Sequence, residues 1–294
     1  VSRIRTVAST EVLLIIGLTV FVLGAQLVER ALGIDEPITV GKPVAVLMAA
    51  VPAALWLVYF YVQDRLEPEP KHFVFGAYVL GAFVAAPLSE FAIELAVGGA
   101  GDGAALRPFS TARVVELLLV VGIAQELGKY MVVRYGVYLS AEFDEPMDGI
   151  IYMTAAGIGF ATHENYQYLQ GLDGTVFIGT GAANAVVTTL AHACFAGVQG
   201  YAMGVAKFSP GSALRRSLVL LGGLMVAALL NGQFTVLEDL VKTTGLQVRP
   251  WRGVVYAAGF AAAVLFATSV LMRRHLATSP HHPDGAGDSQ GEGS

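Results

Sequence analysis

Long apolar runs broken by short polar stretches set the pattern of this chain. Each run approaches the roughly 20 residues that a helix needs to cross the hydrocarbon core of a bilayer. Eight runs are placed near 11–30, 43–62, 73–98, 112–135, 148–169, 175–206, 214–237 and 253–272. The pattern predicts an all-α, polytopic transmembrane helix bundle: one integral membrane domain over 1–275, followed by a flexible tail over 276–294. The run from Val12 to Val28 is long enough to span, so it reads as the first helix rather than a removed leader. The sixth run is long, and Asn184 within GTGAANA is a candidate break point, since irregular backbone is tolerated where protein covers it. The tail after Met272 is rich in Gly, Ser and Pro and lacks any core-forming period, which predicts disorder.

The punctuation carries its own signals. Gln63–Lys71 reads QDRLEPEPK, and Ser140–Met147 holds Glu142, Asp144 and Glu145. Prolines remove N–H donors and punctuate helices, and charged loops are usually solvated, so both segments read as hydrated turns. Asp148 is suited to the positive end of the next helix. The weighting of Lys and Arg between alternate loops favours cytoplasmic placement of both termini.

Composition narrows the class. Of 294 residues, 55% are hydrophobic and 14% charged, against about 25% charged in an ordinary soluble domain. The mean hydropathy is +0.62. The net charge is −5 with no basic cluster, which argues against a nucleic-acid partner. Cys194 is the single cysteine, so an intrachain disulfide and a Cys-based zinc site are both excluded.

Against this background, residues 121–206 stand out. They are mostly apolar, yet carry Gln125, Glu126, Lys129, His163, Glu164, Asn165 and His192 on three consecutive spans. Ionisable groups are costly in the bilayer interior and persist there facing a cavity or one another. Glu126 and Lys129 are three apart and can meet on one helix face, as can Phe160 and Glu164, four apart. Taken singly, these are a helix-pinning ion pair and a satisfied core histidine. Taken together they suggest one site. A carboxylate can take a proton from water and so generate a nucleophile, and an imidazole or amide can hydrogen-bond a developing oxyanion. Metal chelation by Glu126, His163, Glu164 and His192 is the less favoured reading. The chain has no HExxH, G-x-S-x-G or Walker motif.

The chain resembles the PrsW family of glutamic intramembrane proteases, within the larger group of CAAX prenyl endopeptidases and bacterial Abi proteins. The likeness rests on DRLEPEPK at 64–71, QELGK at 125–129, the segment 147–169 and the segment 192–204. The family's EExxK motif is matched by Glu126 and Lys129, with Gln125 where its first Glu stands. Its FxxxE motif is matched by Phe160 and Glu164, and its motif histidine by His192. Ala196 stands where that motif usually has an acidic or amide residue. The resemblance implies cleavage of a membrane-embedded protein substrate, an anti-sigma factor in the best-known case, in the cell membrane and without metal or cofactor. It assigns position 125 and Glu164 to water activation, Glu126 to support and His192 to the oxyanion. Lys129, Phe160, His163 and Asn165 are the supporting candidates.

Gln125 departs from the motif in a way that matters. Its amide is nearly isosteric with a carboxylate but cannot act as a general base, so the chain as written is expected to be inactive or impaired. An engineered substitution, a shift of the base's work to Glu126 or Glu164, and a natural pseudoenzyme all fit this residue. Two other classes compete with the protease reading. One is a non-catalytic scaffold or pseudoprotease binding transmembrane partners, favoured by Gln125 and Ala196. The other is a proton-linked transporter, disfavoured because no internal repeat is visible.

Overall fold

The computed structural model describes residues 2–63, 68–97, 110–170, 175–243 and 250–278. Eight helical rods follow the eight apolar runs. They are α1 (Ser2–Ala31), α2 (Lys42–Gln63), α3 (Lys71–Val97), α4 (111–136), α5 (Pro146–Gln170), α6 (Ile178–Phe208), α7 (Ala213–Thr243) and α8 (Pro250–Thr278). Among the described residues no strand forms. The only extended pairing is the bridge in which the Ile38 and Val176 N–H groups donate to each other's carbonyls at 3.1 and 2.9 Å.

Five of these helices, α1, α2, α3, α6 and α7, contain segments long and apolar enough to cross a membrane. The intervening α5 carries polar residues, and other helices shelter it. Every residue from Met147 to Ala161 is buried, as is most of α6. A helix covered on all sides is a core helix. The two pack closely because glycine removes side-chain bulk at the contact: a Cβ on Gly157 would lie 2.5 Å from the His192 carbonyl oxygen. Around this pair α1 and α7 turn Leu, Ile and Val outward, as lipid-facing helices do, since lipid tails are as apolar as leucine.

Two helices change pitch beside the core. Gly81–Ala85 in α3 and Glu116–Val121 in α4 are π-helical, a feature often found at functional sites. The second ends where the segment carrying Gln125 begins.

Three sequence expectations are corrected. The sixth span does not break at Asn184: α6 runs unbroken from Ile178 to Phe208. Its small residues let the first turns pack, with Gly181 against Leu169 and Val176. The loop at 63–71 is not simply solvated. Glu69 is buried, accepts a hydrogen bond from the Tyr152 hydroxyl, and its carbonyl accepts one from Tyr61 at 3.2 Å. Residues 64–67 of that loop lie outside the described residues. In the acidic loop Glu145 is buried too, while Asp144 is exposed. Asp148 sits in the first turn of α5 as expected, and its Oδ2 accepts the backbone N–H of Asp144 and of Glu145, each at 2.7 Å. The expected tail lies outside the described residues from 279 onward.

Candidate active site

The site is built on α4, one turn past its π-helical segment. Gln125, Glu126 and Lys129 project into the bundle, and all three are buried. The Lys129 ammonium donates to Glu126 Oε1 at 2.6 Å, the three-residue pairing that helix geometry allows. It also lies 2.8 Å from His192 Nδ1 and 4.5 Å from the centre of the Phe160 ring. A buried ion pair is tolerable only when its remaining donors and acceptors are served, and here one ammonium meets a carboxylate, an imidazole and an aromatic face.

That contact fixes the histidine. An ammonium has donors only, so Nδ1 must accept and the hydrogen of the neutral ring sits on Nε2. The imidazole stacks on Phe160, with centroids 5.2 Å apart and planes inclined by 29°. Phe160 is therefore the platform of the site, holding both His192 and Lys129.

Position 125 links the third span. The Gln125 amide nitrogen donates to Glu164 Oε1 at 3.1 Å. Glu164 is half-buried, so it stands between the dry interior and the outside of the bundle. Five of the sequence candidates thus come together around Lys129: Gln125, Glu126, Phe160, Glu164 and His192.

Two do not. His163 Nε2 lies 3.0 Å from Glu90 Oε1 and 2.8 Å from the Gln167 amide nitrogen, at the partly exposed edge of α5. Asn165 donates to the Ala185 carbonyl at 3.2 Å and to Thr189 Oγ1 at 3.1 Å, so it fastens α5 to α6. Successive helix residues are turned by about 100°, which sends the neighbours of Glu164 to other faces.

Two participants in the site escaped the sequence reading, as did one residue beside it. Asn231 on α7 is fully buried and donates to Gln125 Oε1 at 2.9 Å and Glu126 Oε1 at 2.8 Å. Its signal was an amide inside an apolar span, two residues before a second amide at Gln233. Ser89 on α3 hydrogen-bonds the Ala124 carbonyl at 3.0 Å, beside Gln125. Glu90, next to Ser89, is the partner of His163.

A second polar cluster sits at one end of α5. Ligand atoms of Glu69, Asp144 and Asp148 lie within 4.8 Å of one another. Tyr152, the hydroxyl partner of Glu69, and Glu164 are twelve residues apart on α5. That separation corresponds to about 18 Å along the helix.

Comparison with known proteins places these observations in a family. Residues 69–266 match the family described as "PrsW family intramembrane metalloprotease". The chain is 34% identical to Protease PrsW of Geobacillus kaustophilus over 160 residues, which is 54% of this chain and 64% of that protein. It is 32% identical to Protease PrsW of Bacillus subtilis over 195 residues, 65% of this chain and 81% of that protein. No solved structure matches significantly. The family description implies a metal, and the donor set around Lys129 does not fit one. The ammonium already occupies the position between Glu126 Oε1 and His192 Nδ1 that a metal ion would take. Among the described residues the only convergent ligand group is the acidic cluster at the end of α5, which contains no imidazole.

Proposed function

This chain belongs to the PrsW family of intramembrane proteases, and from that premise we propose that it hydrolyses a peptide bond in a membrane-embedded protein by carboxylate-activated water. Glu164 is the base. It is the carboxylate of the group with access toward the outside of the bundle, and Gln125 holds one of its oxygens by an N–H. A water proton passes to Glu164 while the water oxygen bonds to the carbonyl carbon. The carbonyl oxygen becomes an oxyanion, which the His192 Nε2–H is suited to stabilise. The proton then moves from Glu164 to the amide nitrogen, the C–N bond breaks, and a carboxylic acid and an amine leave.

The observation that carries this reading is the Lys129–His192 contact at 2.8 Å, because it supplies an imidazole whose only ring hydrogen points away from the ammonium. Glu126 plays the supporting part: its charge balances Lys129 and keeps that ammonium in place. Gln125 cannot take a proton, so turnover is expected to be slower than in Gln125→Glu. The substrate class is a single-span membrane protein, with an anti-sigma factor as the first choice.

The test uses this sequence and Gln125→Glu in nanodiscs, each incubated with a single-span anti-sigma factor and with a prenylated peptide, with and without chelator. Mass spectrometry locates any cut. Cleavage that survives the chelator and disappears in Glu164→Gln supports the mechanism. Cleavage abolished by chelator contradicts it. A second reading, a non-catalytic scaffold, is favoured by Gln125 and Ala196. It gains the field if neither form cuts and the anti-sigma factor remains bound to both.

A further inference from the structure

We infer that Asn231 is a positioning residue of the site, one that sets the direction of the hydrogen bond reaching Glu164. The inference rests on the protease reading above. Asn231 comes from α7, whose other face is lined by exposed Leu218, Leu221, Val226 and Leu229. The buried stripe of this helix is Ala227, Ala228, Asn231 and Phe234, the spacing of one helix face. Close packing delivers the amide: a Cβ on Gly232 would lie 2.6 Å from Leu118 Cα, within the π-helical turn of α4. The residue is therefore held by backbone contact against the helix whose side chains it binds.

One amide nitrogen has two hydrogens, and both are used. One goes to Gln125 Oε1 at 2.9 Å, the other to Glu126 Oε1 at 2.8 Å. The opposite rotamer would set an oxygen against two acceptors, so the network admits one orientation. The consequence passes along the chain. With Oε1 of Gln125 occupied by Asn231, its Nε2 must face Glu164, where it donates at 3.1 Å. If the Gln125 amide turned over, its oxygen would face a carboxylate oxygen. Asn231 thus stands at a fork. One arm runs through Gln125 to Glu164, and the other through Glu126 to Lys129 and His192. Both arms depend on a donor at the root, and a buried acceptor left without one bears its full desolvation cost.

The experiment compares Asn231→Leu, which removes the donor, with Asn231→Asp, which keeps the shape and substitutes an acceptor. Glu164→Gln serves as the control. Two readouts are taken in nanodiscs. The first is kcat and KM on a fluorophore-labelled single-span anti-sigma-factor peptide, always with Gln125 in place, since its amide is the group that Asn231 orients. The second is modification of Glu126 and Glu164 by dicyclohexylcarbodiimide, which reacts with protonated carboxyl groups, mapped by mass spectrometry and independent of any cleavage. The expected result is a kcat lowered about tenfold or more with KM nearly unchanged. Labelling is expected to rise about threefold or more at neutral pH, because a buried carboxylate that loses a hydrogen bond takes up a proton more readily. Asn231→Asp should show the larger effects of the two, and it decides the matter if the Leu variant does not fold.

Unchanged kcat and labelling, with cleavage lost in Glu164→Gln, overturn the inference and leave the protease reading intact. A fall in kcat without a labelling change also overturns it, because the loss then comes from packing. So does a labelling change that leaves kcat untouched. Raised labelling when no form of the protein cleaves supports the positioning by Asn231 and overturns the protease reading instead.

Discussion

Two polar clusters adjoin α5, and they are stabilised in different ways. Around Lys129, in the middle of the bundle, a cation, two carboxylates, two amides and an imidazole interlock across four helices. At the end of the helix Glu69 and Asp148 are buried beside one another, served by a tyrosine hydroxyl and backbone N–H groups. The middle cluster balances charge with charge and places donors against acceptors, because the cost of an uncompensated ion is highest there. The end cluster closes the loops at 68–70 and 137–145 over the start of α5, where Asp148 acts as a cap for the incoming backbone. The first arrangement is suited to moving a proton, the second to fixing chain ends.

The comparison can be broken at its strongest point by Glu164→Gln. This change should lower cleavage by about 100- to 10,000-fold, the usual worth of a general base. The melting temperature in detergent should stay nearly unchanged. Equal losses of activity and stability would erase the distinction between a working cluster and a structural one. Next in size is Lys129→Met, which strands Glu126 in the interior. Removing one partner of a buried pair costs about 3–5 kcal/mol, read as a lowered midpoint in denaturant unfolding of the purified protein. Glu126→Gln combined with Lys129→Met should recover much of that loss without recovering cleavage.

Gln125→Glu sharpens the contrast from the other side. Turnover should rise about tenfold or more as a second carboxyl group becomes able to carry a proton beside Glu164, measured with the single-span substrate. A Gln form as fast as the Glu form would show that position 125 only orients its neighbour. The smallest effect belongs to the end cluster. Asp148→Asn should cost about 1–3 kcal/mol by disturbing the two backbone hydrogen bonds that the Asp148 carboxyl accepts, with kcat preserved. A selective loss of kcat there would tie the two clusters together functionally.

Much of the middle cluster was legible in the sequence, because Glu126, Lys129, Glu164 and His192 are conspicuous in apolar spans. The end cluster was hidden for the opposite reason. Charge in a loop normally signals water, and nothing local to Glu69 announces that Tyr152 will cover it from another helix. His163 and Asn165 lie outside the Lys129 network because adjacency in sequence to Glu164 is not adjacency on a helix surface. Asn231 stayed invisible because an amide in an apolar span can be satisfied in many ways, and Gln233 beside it offers the same signal. The approach of Gly232 to α4 brings it close, and its two hydrogen bonds show where it points. The helix count was readable from apolar length alone, whereas continuity of α6 through Asn184 depends on how small residues pack against α1 and α5.

The pairing of Lys129 with Glu126 also bears on how the protein is made. The two residues lie within a single turn, so they can neutralise each other as soon as that turn is helical, before any other span has arrived. Inserted separately, each charge would oppose entry into the bilayer by about 2.5–3.5 kcal/mol at the centre of a helix. Inserted as a pair, they would cancel each other's charge and lower the cost of bringing α4 into the bundle. His192 and Asn231 would then meet a preformed ion pair as α6 and α7 associate with it. The order of synthesis, α4 before α6 and α7, thus lets the most expensive part of the site be settled first.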